Sequence, residues 1–121
     1  MRALVASLLM LVPFESTAGG AESFACNRNA LTRTERTDQE TLSRALFASV
    51  RERRELPDGY AFRLPGAALV DAARWVSLER RCCPFFAFEL NQASHDGPLW
   101  LRVTGAAGIK PFLRAEFQLD S

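Results

Sequence analysis

Histidine occurs once in this 121-residue chain, as His95, and lysine once, as Lys110. A lone histidine leaves most of the molecule without the commonest metal ligand and general base. His95 itself falls in the turn His95-Asp96-Gly97-Pro98. A solvated side chain is expected there, and a nucleophile–base pair with a distant cysteine is not. No C-x2-C pair gives the spacing of a structural zinc site. No glycine-rich phosphate loop follows a strand, and neither Ser49 nor Ser77 stands in a nucleophile elbow. No apolar run reaches the ~20 residues that span a bilayer. The formal charge of +1 provides no bulk field to draw nucleic acid or an anionic membrane. Together these absences exclude a transmembrane anchor and a nucleic-acid footprint, and they leave no residue set with a catalytic role.

What is present describes one folded domain. The length suits a single domain, and 48% hydrophobic with 24% charged residues is a globular composition rather than a disordered one. Positive charge comes almost wholly from arginine, and no internal repeat or linker interrupts the chain.

The N-terminus reads as an export leader. Arg2 precedes the apolar run 3–14 (ALVASLLMLVPF), and small and polar residues follow, with cleavage expected after Ala18 or Ala21. The expected division is a signal peptide over residues 1–21 and a domain over 22–121, exported to a periplasm or the exterior. Cys26 lies too far past the apolar run to be a lipid-anchor cysteine.

Residues 23–27 (SFACN) form an extended candidate, with Phe24 and Cys26 on one face. Thr37-Asp38-Gln39-Glu40 has the pattern of a capping box. It opens a helix with Leu42, Ala45, Leu46, Ser49 and Val50 on one stripe, expected to stop near Arg54 before the turn Pro57-Asp58-Gly59. Tyr60, Phe62 and Leu64 alternate as a strand buried on one side. A second helix is expected over residues 67–83, with Leu69, Ala72, Ala73 and Val76 inward and Pro84 forcing its end. Phe86, Phe88 and Leu90, then Leu99, Leu101 and Val103, alternate on either side of the His95 turn and predict an antiparallel hairpin. Pro111 opens a last helix carrying Ile109, Phe112, Leu113 and Phe117. The pattern is an α+β fold in the order β-α-β-α-β-β-α: an antiparallel or mixed sheet with helices layered on one face.

Three cysteines are the chemically pointed feature. Export favours disulfides, and an odd count leaves one thiol over. Cys82 and Cys83 are neighbours, about 3.8 Å apart at Cα where a bridge needs more than about 4.4 Å, so Cys26 must pair with one of them. Glu79 lies one helical turn before the pair. Cys26, Cys82 and Cys83 with Glu79 therefore make a candidate nest for a soft metal or metalloid ion, since thiolates prefer polarizable ions. Alternatives are a non-catalytic structural or interaction module with a Cys26 disulfide that docks a protein partner, and a thiol redox protein.

Residues 79–90 (ERRCCPFFAFEL) and 99–105 (LWLRVTG) resemble a group of small bacterial domains with a Glu-x-x-Cys-Cys-x-Phe-Phe signature. Ala25-Cys26 matches an Ala-Cys pair near their start, and the resemblance spans residues 24–117. Similar domains form C-terminal modules of mercury-resistance-type regulators. The resemblance brings no defined activity with it, and what it implies is metal or thiol sensing at the cysteines.

Overall fold

The computed structural model describes residues 24–119. The leader reading falls outside them. Among the described residues no helix is long and apolar enough to cross a membrane.

Among the described residues seven helices and strands run in the order α-β-β-α-β-β-α: α1 (Arg33–Ala48), β1 (Glu52–Leu56), β2 (Gly59–Leu64), α2 (Leu69–Cys82), β3 (Ala87–Asn91), β4 (Leu99–Thr104) and α3 (Ile109–Glu116). Two single-turn 3-10 segments, Arg28–Ala30 and Gly66–Ala68, precede α1 and α2. The sheet is fully antiparallel in the order β1-β2-β4-β3. The α+β class, the antiparallel sheet and the β3–β4 hairpin are as the sequence predicts.

The fourth strand lies elsewhere than expected. Residues 24–27 form no strand and pair with none in the sheet, whereas the charged stretch Glu52–Leu56 is a strand instead of a helix end. Helix α1 begins and ends earlier than its pattern suggests. Its capping box is Thr32 with Glu35, not Thr37 with Glu40: Thr32 Oγ1 accepts from the Glu35 amide at 3.1 Å, and Glu35 Oε1 accepts from the Thr32 amide at 3.0 Å. Ser49 closes the helix by returning its amide and hydroxyl to Leu46 O. The chain then turns back through Pro57-Asp58, pairing Leu56 with Gly59 and Glu52 with Arg63. Alternation holds in this strand through charge: Glu52 accepts a hydrogen bond from Arg54 on the same face at 2.9 Å and forms an ion pair with Arg63 across the ladder at 3.3 Å. A charged edge strand also resists pairing with other chains. Gly59 is required at the hairpin because a Cβ there would meet Val103 O at 2.0 Å.

One sheet face is covered and the other open. Phe62, Leu64, Leu99, Leu101 and Val103, each 1% exposed or less, meet Trp75, Ile109 and Leu113 from the helices. Phe47, Phe86, Phe88 and Phe117 fill the layer around Trp75 with tilted and edge-on ring contacts. On the open face Arg54 stacks over Trp100 at 4.5 Å, beside the pair Arg102–Glu89. Helix α2 is inserted along Ala72, Trp75, Glu79 and Cys82, one position off the expected stripe, and Leu69 and Val70 stand exposed. That rotation carries Glu79 and Cys82 inward.

Candidate functional site

Three pieces of chain meet at the C-terminal end of α2. Pro84 prevents the helix from continuing, so Cys83 becomes its C-cap, with its amide bonded to Glu79 O at 2.7 Å. The Cys82 carbonyl, left without a helical partner, accepts from the Asn27 amide at 2.8 Å. This bond lays residues 24–27 along the helix end, and Phe24 locks them there against Phe85 and Phe112, with ring centroids at 5.1 and 5.9 Å. Arg81 completes the anchorage: its guanidinium pairs with Glu35 and reaches Ala30 O at 3.0 Å.

All four residues singled out from the sequence converge here. Cys26 is joined to Cys83 by a disulfide closing a sequence separation of 57, with the two Cα atoms 4.5 Å apart. Cys82 is the free cysteine, and its sulfur lies within 4.8 Å of the other two. A carboxylate oxygen from each of Glu79 and Glu116 lies within the same distance of the Cys26 and Cys83 sulfurs. Exposure is unequal: Cys82 and Cys83 are buried at 1% and 0%, while Cys26 is partly exposed.

Glu79 is the unusual group. It is 3% exposed, and its Oε2 accepts from Gln39 Nε2 at 2.5 Å. Burial pushes its carboxyl up to about 7, with the Gln39 bond opposing. Cys83 Sγ lies 3.4 Å from Glu79 Oε1. A bridged sulfur carries no hydrogen, so any hydrogen held between these two atoms belongs to the carboxyl. Cys82 is likewise pushed above the ordinary thiol range, first by burial and then by the Glu79 charge, with Gln39 pulling the other way. The flanking arginines do not rescue its thiolate: Arg80 is exposed and Arg81 is committed to Glu35.

Two residues of the site were not singled out by sequence. Gln39 follows the spacing of Leu42 and Leu46 on the inward stripe of α1, and a polar residue on an apolar stripe is the signal that marks it. Its Oε1 is buried without a partner among the described residues. Glu116, at the end of α3, gave no such signal. A cleft of about 160 Å³ between α1, α2 and α3 is bordered by Arg28, Gln39, Glu79, Cys82 and Glu116, and it leads toward the thiol. A larger concavity of about 310 Å³ lies on the open sheet face, far from the cysteines. Its arginines, Arg54 and Arg102, are paired with Glu52 and Glu89. His95, with its side chain 96% exposed, takes no part in either place.

No protein-family model, curated protein or solved structure matches this chain.

Proposed function

We propose that this is a thiol-based binding module which, with its three cysteines reduced, takes up one soft metal or metalloid ion. The observation that carries this reading is the convergence of three sulfurs within 4.8 Å, drawn from two segments far apart in sequence and bordered by a buried carboxylate. Thiolates select soft ions, and a buried negative donor set is stabilised by a cation that replaces its protons. Glu79 supplies an oxygen donor from within the core, and Gln39 holds it in place. Zinc fits less well, because no histidine is near and two of the sulfurs are sequence neighbours. An exported location belongs to the same proposal.

The test is native mass spectrometry of the reduced chain offered Hg(II), Cu(I) or arsenite. One ion per chain is expected, with at least tenfold weaker retention in Cys26→Ser, Cys82→Ser and Cys83→Ser. Failure of all three ions to bind would sink the proposal.

The bridge itself favours a second reading: a non-catalytic module in which Cys26–Cys83 pins the N-terminal segment to the domain. In that case reduction loosens the segment and no ion binds. A redox nucleophile is the weakest reading, since Cys82 is buried and held protonated.

A further inference from the structure

The bridged and ion-binding forms draw on the same sulfurs. With Cys26 and Cys83 joined, only Cys82 keeps a thiol, and a disulfide sulfur is a poor substitute for a thiolate ligand. The three sulfurs also differ in reach. An external thiol meets Cys26, which is partly exposed on the docked N-terminal segment, and finds Cys83 sealed at 0% exposure. The segment does not depend on the bridge alone for its position. The Asn27 amide bond to Cys82 O and the packing of Phe24 on Phe85 and Phe112 hold it as well. Opening the bridge therefore leaves Cys26 beside the other two sulfurs.

We infer that the site is opened by a dithiol reductant that attacks the bridge at Cys26, and that this reduction gates ion uptake; the inference rests on the binding reading above. The first reductant thiolate forms an S–S bond with Cys26 Sγ as the Cys26–Cys83 bond breaks. Its electron pair leaves on Cys83 Sγ, which takes up a proton. The second reductant thiolate then attacks the first reductant sulfur, displacing Cys26, which takes up a proton in turn. Two electrons pass to the domain, and the dithiol leaves as its own disulfide. A monothiol stops at the mixed disulfide more often, because resolution needs a second molecule.

The full chain is prepared in two forms, bridged and phosphine-reduced, and both are freed of small molecules and offered arsenite. Arsenite is expected to bind the reduced form at one per chain and the bridged form at least tenfold more weakly. Equal binding to both forms overturns the gate while leaving the ion site standing; failure of arsenite, Hg(II) and Cu(I) alike to bind the reduced protein overturns the site itself. A second arm treats bridged protein briefly with glutathione, quenches with acid and maps the adduct. Glutathione is expected on Cys26 at least tenfold over Cys83. Preferential labelling of Cys83, or bridge opening no faster than global unfolding, overturns the assignment of Cys26 as the point of attack.

Discussion

A carboxyl group buried beside sulfurs keeps its proton longer than one in water, and Glu79 is placed that way. Its ordinary value near 4.5 applies to the unfolded chain, and its value in the fold is about 7. Between those two the folded state binds more protons than the unfolded one, so the contribution of Glu79 to stability is full below pH 4.5, falls as pH rises through 7, and is then gone. The whole swing is on the order of 3 kcal/mol at most. Urea unfolding of the bridged, ion-free protein between pH 4 and 8 should show this decline, and Glu79→Gln should flatten it. A parallel decline in both proteins would mean that another group is responsible. Glu35 works in the opposite direction. Its bond to Arg81 holds it down at about 2, so its contribution is present above pH 4.5 and is lost as pH falls toward 2. Glu35→Gln should therefore lower stability at neutral pH, by an amount that disappears near pH 2 in the same unfolding assay.

At the scale of elements, strands whose apolar residues alternate were legible, and charged ends were not. Tyr60, Phe62 and Leu64, and then Leu99, Leu101 and Val103, announce strands because one face must be buried. Glu52–Leu56 has good helix formers and no apolar alternation, so local preference alone extends α1 through it. What overrides that preference is tertiary: a two-residue turn returns the chain onto β2, whose other edge is already taken by β4. The cap of α1 is ambiguous in the sequence for a related reason. Two threonines, Thr32 and Thr37, each precede a glutamate by three residues, and sequence alone gives no ranking between them. The fold selects Thr32 because Arg81 of α2 fastens Glu35 at the helix start. Thr32→Ala should then destabilise the domain by about 1 kcal/mol, and Thr37→Ala by no more than about 0.5 kcal/mol, in chemical denaturation. Equal effects would return the cap to the later position. The candidate site was legible by residue type: three cysteines and a glutamate one turn away proved to be neighbours. Gln39 and Glu116 were not, because they come from α1 and α3, and only the packing of those helices on α2 brings them in.

For the molecule as a whole, the bridge fastens the N-terminal segment to a domain that already has its own core. Phe62, Leu64, Leu99, Leu101 and Val103 on the sheet, with Trp75, Ile109 and Leu113 from the helices, form a contiguous buried set that does not pass through Cys26. The domain should therefore fold without the bridge, less stably. Closing a loop with a sequence separation of 57 restricts the unfolded chain by an amount equivalent to about 4 kcal/mol. Cys26→Ser should lower the unfolding free energy by about 2–4 kcal/mol while leaving the far-ultraviolet circular dichroism of the helices and sheet unchanged. Hydrogen exchange should accelerate most in residues 24–31 and at the end of α2, where the Asn27 amide bond still holds the segment but opens more often without the bridge beside it. Reduced wild-type protein should behave like Cys26→Ser until an ion is added. A ligand that binds only the folded form then restores stability in proportion to the logarithm of its concentration, about 2.7 kcal/mol at a hundredfold excess over Kd. Cys26→Ser, short of one sulfur, should recover far less under the same conditions. Recovery in neither protein would leave the bridge as a structural fastening alone, and equal recovery in both would show that Cys26 contributes nothing to the ion.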